Sequence, residues 1–237
     1  MKIALYGDSL TEGRAGVAYI PYLQQRLPEH EFLNYGYGGD TVISLYNRIV
    51  RDDLARPVDA SFLFVGVNDI LVRVAPQFGW IKTLAQQPWA KTVEMFAGYY
   101  QRTLDLLTPK STFVFAVSPL FIGEDMTNEW NQQLTTVDNT IVQVAGGYNN
   151  VEYLDLRSEL IAALDTGRVS SYVLNSATQV VVDTLFLRKI DQIDRHSASR
   201  KLQLTLDGVH LNSHGAKLVA EKFVQAIKTI TVSKEIR

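Results

Sequence analysis

The stretch Lys2-Ile-Ala-Leu-Tyr-Gly-Asp-Ser-Leu-Thr-Glu-Gly13 is a short apolar run that stops abruptly at Gly7-Asp8-Ser9. Residues 3 to 6 are too few for a stable helix, and Gly7 and Asp8 are turn formers, so the pattern predicts a strand feeding a sharp turn. Ser9 then sits at the carboxyl edge of a sheet where a helix begins, the edge at which open α/β sheets bind their ligands. A residue there keeps its own N–H free, because the first turn of a helix leaves its amides without intrahelical partners. Two readings of Ser9 fit this position. It is a nucleophile whose amide helps to stabilise an oxyanion, or it is an N-cap, as serine often is.

Outward from this stretch the chain alternates. Residues 17 to 27 place Val17, Ile20, Leu23 (or Gln24) and Leu27 on one helical face, with Pro21 tolerable only near the first turn or as a kink. Glu31 to Tyr35 reads as a strand running into Gly36-Tyr-Gly-Gly-Asp40, and a helix from Thr41 carries Val42, Leu45, Tyr46, Ile49 and Leu54, with Asp40 or Thr41 as its N-cap. Residues 60 to 67 are nearly all apolar, as a strand covered on both faces should be, and end at Asn68-Asp69. Residues 70 to 90 lack clean periodicity and read as an irregular excursion beside that edge. The aromatic residues Phe78, Trp80 and Trp89 in it fit either an acyl pocket or plain packing. A helix over 92–107, a buried strand over 112–117, a helix over 128–145 and a strand over 151–156 follow. Five strands alternating with helices predict an α/β fold with a parallel sheet covered on both sides.

Residues 165 to 204 break the rhythm and read as an insertion. Its apolar half, Tyr172 to Leu187, suits a helical stripe (Leu174, Ala177, Val181, Leu185) or, at Val180-Val-Val182, a strand; Arg188 to Lys201 is charge-rich and expected to be solvated. The apolar half should cover an acyl pocket or pack against a second copy of the chain, making a homo-oligomer. The chain returns with Leu206-Asp-Gly-Val-His-Leu-Asn-Ser-His214 and closes on a helix with Ala216, Val219 or Ala220, Phe223 and Ile227 on its core face.

Composition bounds the partner. With 46% hydrophobic residues in 237, the chain is long enough for one well-buried domain, 1–237, and no linker divides it. A net charge of -2, carried by scattered residues, gives no footprint for nucleic acid or an anionic membrane, and no apolar run reaches spanning length. The expected partner is a small molecule. The absence of cysteine excludes disulfides, thiol catalysis and thiolate metal sites. Residues 1 to 6 already read as a strand, so no secretory signal is expected and the cytoplasm is the expected compartment.

The first three strand exits bring Ser9, Gly39 and Asn68 to one edge, a set that fits acyl transfer. Ser9 would attack a carbonyl while its N–H, that of Gly39 and the Asn68 side-chain amide converge on the oxygen as charge develops. The missing base is supplied by His210, three residues after an orienting carboxylate, Asp207. A histidine base predicts activity rising through a single group near ~6 to 7.

On these residues the chain resembles the SGNH hydrolases of the GDSL esterase and lipase superfamily. Four motifs agree in order: Gly7-Asp8-Ser9-Leu10, Asn34-Tyr-Gly-Tyr-Gly-Gly39-Asp-Thr41, Gly66-Val-Asn68-Asp69, and Asp207-Gly-Val-His210-Leu-Asn212. The resemblance implies a three-layer α/β/α, flavodoxin-like fold with strand order 2-1-3-4-5. It implies Ser9 as nucleophile, His210 as general base and acid, Asp207 as its orienter, and Ser9, Gly39 and Asn68 as oxyanion hole. It also implies a serine esterase cleaving a carboxylic ester through an acyl-enzyme. A carbohydrate O-deacetylase or thioesterase would share the same five residues, and a non-catalytic binding module would need no such triad.

No cofactor or metal is expected. His210 and His214 are four apart with Asp207 nearby, but the glutamate that zinc peptidases place after the first histidine is Leu211. Gly36-Tyr-Gly-Gly39 lacks the features of both the dinucleotide and P-loop phosphate cradles. His214 fits the first turn of the last helix as a solvated group. Asp8, Asp40 and Asp69 each follow a strand end and most simply cap turns or helices.

Overall fold

The computed structural model describes residues 1–187 and 189–235, the side chains of 177, 181 and 231–235 lying outside that description. Its centre is a five-stranded, all-parallel sheet in the order β2-β1-β3-β4-β5. The strands are β1 (Lys2–Gly7), β2 (Glu31–Gly36), β3 (Val58–Phe64), β4 (Ser111–Val117) and β5 (Val151–Leu154). The carboxyl halves of β1, β3 and β4 are buried without alternation, because helices cover both faces and every side chain meets apolar surface.

The helices are α1 (Ser9–Glu12), α2 (Ile20–Arg26), α3 (Val42–Arg51), α4 (Val67–Val74), α5 (Pro76–Leu84), α6 (Val93–Leu107), α7 (Glu129–Ala145), α8 (Leu156–Ala162), α9 (Ala177–Phe186), α10 (Ile190–Ser199) and α11 (Ser213–Glu235). One layer packs α2, α8 and α10 around α11, and the other packs α3, α6 and α7 together. Phe62 stacks on Phe115 at 4.6 Å and on Phe223 of α11 at 4.5 Å, which ties the sheet to the longest helix. Buried apolar side chains from Ile3 to Ile230 form one contiguous core. This is the three-layer α/β/α arrangement and strand order that the motifs imply.

Several boundaries differ from the sequence reading for identifiable reasons. The third strand ends at Phe64, and Val67 and Asn68 open α4. The apolar run continues through the junction because strand and helix are both buried, so periodicity alone cannot separate them. The fifth strand likewise ends at Leu154, with Leu156 opening α8. The excursion at 70–90 is mostly helical: α4 and α5 meet at Pro76, which occupies the first turn of α5.

In the insertion, the helical alternative holds for α9, with the side chains of Ala177 and Val181 outside the described residues. The expectation that the charge-rich half is solvated holds for Lys189, Asp191, Arg195 and Lys201, which are exposed, but not for Ile193 and Ser197, which α10 buries. Arg200 is also drawn in, donating to Asp183 and to the Leu206 carbonyl at 2.9 Å each. Arg188 lies outside the described residues.

Candidate active site

Three strand ends and the loop before α11 meet at the carboxyl edge of the sheet. After Gly7, Asp8 turns the chain, and its side chain accepts from the Leu10 N–H at 3.0 Å to cap α1. The cap is therefore Asp8, which leaves the Ser9 hydroxyl for another partner. That partner is His210, whose Nε2 lies 3.0 Å from Ser9 Oγ. Nδ1 of the same ring is 2.7 Å from Asp207 Oδ2.

Asp207 Oδ1 accepts from the N–H groups of Val209 at 3.0 Å and His210 at 2.8 Å. Burial opposes ionisation of this carboxyl, but the neighbouring imidazolium and these hydrogen bonds outweigh it and hold it below its ordinary range. An ionised Asp207 accepts from Nδ1–H, so a neutral His210 turns an unprotonated Nε2 toward Ser9. Burial also disfavours a charged imidazole, yet the Asp207 charge and hydrogen bond prevail and raise His210 above its ordinary value.

The His210 loop is fixed from several sides. The buried Glu124, just after β4, accepts from the N–H groups of Gln203, Leu204 and Thr205 at 2.6, 2.8 and 2.9 Å. Gly208 has φ +89°, and a Cβ there would lie 3.1 Å from the Gly123 backbone, so the crossing needs glycine. From α10, Ser197 Oγ donates to the Thr205 carbonyl at 2.6 Å and accepts from Asn212 at 2.9 Å. Asp194 accepts from the Ser213 N–H at 3.0 Å at the start of α11. The insertion thus buttresses this loop, a role that the sequence reading does not foresee.

Gly39 and Asn68 complete the group. Among the described residues the N–H groups of Ser9 and Gly39 donate to nothing. Asn68, in the first turn of α4, gives one amide hydrogen to Asp8 Oδ2 at 3.0 Å and keeps the other. Burial pushes the Asp8 carboxyl up to about 6. Asp69 is no cap for its own helix: it accepts from Val42 N–H of α3 at 2.9 Å and Ala90 N–H at 3.0 Å, clasping three segments. Asp40 binds Arg48 and Ser44, leaving the α3 cap to Thr41.

Ser9, Gly39, Asn68 and His210 line a cavity of about 320 Å³ together with Leu71, Val72, Phe78, Ile81, Val180 and Thr184. The insertion reaches it through Val180 and Thr184. Of the three aromatic residues in question, Phe78 lines the cavity, whereas Trp80 is 67% exposed.

Lys82 and Gln87 also line it, and the sequence reading passes over both. Lys82 Nζ donates to the Gly39 carbonyl and, at 3.3 Å, to Asn68 Oδ1. Gln87 Nε2 donates to the Gly38 carbonyl at 2.9 Å. The available signal is that Phe78 and Lys82 are four apart, hence on one helical face, so a lone cation shares a stripe with a buried ring. His214 is exposed on α11, and no group of three His, Cys, Asp or Glu disposed to hold a metal ion occurs among the described residues. No described helix is long and apolar enough to cross a membrane.

This sheet order, with a GDS turn at the end of β1 and an Asp-x-x-His loop before the last helix, defines the SGNH class of α/β hydrolases. The chain belongs to the GDSL-like lipase/acylhydrolase family, whose model matches residues 5–218, and is an ester hydrolase. Solved structures share the fold. The acetyl xylan esterase AlAXEase is 24% identical, with a TM-score of 0.63 over 96% of this chain and 100% of that one. Axe2, an acetylxylan esterase from Geobacillus stearothermophilus, is 18% identical with a TM-score of 0.67 over 94% and 92%. An alpha/beta hydrolase from the metagenome of Lake Arreo, Spain, is 18% identical with a TM-score of 0.64 over 95% and 94%. Comparison with curated proteins finds no match.

Proposed function

We propose that the chain is one catalytic domain that hydrolyses carboxylic esters through an acyl-enzyme on Ser9. The observation that carries this reading is the hydrogen-bonded series Ser9 Oγ, His210 ring and Asp207 carboxylate, with contacts of 3.0 and 2.7 Å. Neutral His210 takes the Ser9 proton as Oγ attacks the carbonyl, and Asp207 stabilises the imidazolium that forms. The N–H groups of Ser9 and Gly39 and the remaining Asn68 amide hydrogen receive the oxyanion. The imidazolium then protonates the leaving alcohol, and the same steps with water release the acid and restore Ser9.

His210 must be neutral to act, so kcat/KM should rise with pH as its proton is lost. Because Asp207 raises that group, the midpoint should lie above the ordinary histidine value of about 6.5. A kcat/KM profile flat across this region would remove His210 from the role.

The cavity favours acyl groups longer than acetyl. Its lining from Leu71, Val72, Phe78, Ile81 and Val180 is apolar, and burying one methylene is worth about 0.8 kcal/mol, or roughly fourfold in rate constant. Nitrophenyl esters from acetate to hexanoate should therefore show kcat/KM rising by about that factor per methylene until the cavity fills. A second reading, a carbohydrate O-deacetylase, is favoured by the acetyl xylan esterases among the structural neighbours. It would be upheld instead if acetate were the best acyl group and acetylated xylo-oligosaccharides were the better substrates.

A further inference from the structure

We infer that Lys82 and Gln87 form a bracket that orients the neutral oxyanion donors, the Gly39 N–H and the Asn68 amide. The inference rests on the acyl-transfer reading above. Both side chains belong to the segment 75–90, outside the four motifs, and both are buried, at 6% and 8% exposure. A peptide unit is planar and trans, so its carbonyl and its N–H point in opposite directions. The Gly38 carbonyl shares a peptide unit with the Gly39 N–H, and Gln87 Nε2 holds that carbonyl at 2.9 Å. Anchoring the carbonyl on one side turns the N–H to the other.

Lys82 holds the next peptide through the Gly39 carbonyl and takes Asn68 Oδ1 at 3.3 Å. An ammonium only donates, so it admits the oxygen of the carboxamide and not its nitrogen. Asn68 is thereby locked with Nδ2 toward Asp8 and toward the cavity. A side chain at Gly39 would be strained at φ +79°, and its Cβ, 2.7 Å from Lys82 Nζ and 2.9 Å from Gln87 Oε1, would displace the two bracketing side chains.

The charge of Lys82 has a consequence of its own. It faces Asp8 at the end of β1, Asp40 before α3 and Asp69 in α4. Arg48 of α3 is engaged by Asp40 at 2.8 Å, His210 also acts on Asp8 and lines the same cavity as Lys82, and the Glu12–Arg14 pair at 3.2 Å borders that cavity too. Burial lowers Lys82 to about 8 against the pull of the three carboxylates. Above that value the ammonium loses a proton, its hold on the two carbonyl oxygens weakens, and activity falls as pH rises. The profile is then a bell, with His210 on the acid side and Lys82 on the alkaline side.

The test measures kcat and KM for nitrophenyl butyrate across the neutral and alkaline range in the parent, Lys82→Met and Gln87→Met. Misplacing a donor by a fraction of an ångström to 1 Å should lower kcat roughly 10- to 100-fold in either variant, with KM within about threefold. Lys82→Met should also lose the alkaline limb, and Gln87→Met should keep it, a difference that a merely structural role would not produce. A loss of kcat below tenfold in both variants overturns the inference, as does an alkaline limb retained in Lys82→Met. Should Lys82→Met fail to fold, Gln87→Met decides by the same tenfold criterion. A parent that turns over esters and is labelled at Ser9 while both variants match it sinks this inference alone; a parent not labelled there removes the acyl-enzyme reading and the inference together.

Discussion

Ser9→Ala is expected to lower kcat by about a million-fold, the scale on which loss of the attacking serine acts in serine hydrolases. In the proposed mechanism the hydroxyl is the atom that bonds to the acyl carbon, and among the described residues no second hydroxyl hydrogen-bonds to His210 Nε2 to replace it. The fold should survive. Ser9 is only half-buried, Asp8 caps α1 in its place, and the change removes one oxygen without opening a cavity. The loss should therefore appear in turnover while the thermal midpoint stays near the parent's, since a single neutral hydrogen bond is worth only about 1 kcal/mol. Esterase activity retained in the purified variant would remove Ser9 from the mechanism.

His210→Ala should be about as damaging, and the double variant Ser9→Ala/His210→Ala hardly worse than either single one, because the two act in one proton-transfer step. Fully additive losses would mean separate roles. Asp207→Asn should cost roughly ten-thousandfold for a different reason. With Oδ1 still accepting from the Val209 and His210 N–H groups, the amide nitrogen would face Nδ1 and stabilise the wrong tautomer, presenting Nε2–H to Ser9. Kinetics of the four variants on one nitrophenyl ester separate these cases.

Much of the fold is legible in the sequence because its periodic elements face one core. Helix α3 carries Val42, Leu45 and Ile49 at helical spacing behind a Thr41 cap, and the last helix buries Ala216, Val219, Ala220, Phe223 and Ile227. Helix α5 is hidden because its residues Phe78, Ile81 and Lys82 line the cavity, Phe78 joining the core as well, while Trp80 and Leu84 point to solvent. A helix whose apolar residues serve two environments shows no single stripe. The five candidate site residues are legible because each sits at a strand exit or in a short loop motif. Lys82, Gln87 and Glu124 are not, since their partners lie 43, 49 and about 80 residues away and their chemistry depends on tertiary placement. The insertion shows the same limit: its charged helix α10 looks like a solvated surface, yet Ser197 and Asp194 support the loop that carries His210.

The central claim is that Ser9 is a nucleophile activated by His210. It is tested most directly by reacting the native chain with a fluorophosphonate probe and locating the adduct by peptide mass spectrometry. The expected result is a single adduct on the peptide containing Ser9, forming faster as pH rises through the raised His210 titration, and absent from Ser9→Ala. An adduct on another residue, or ester hydrolysis that proceeds with Ser9 unlabelled, would contradict the account.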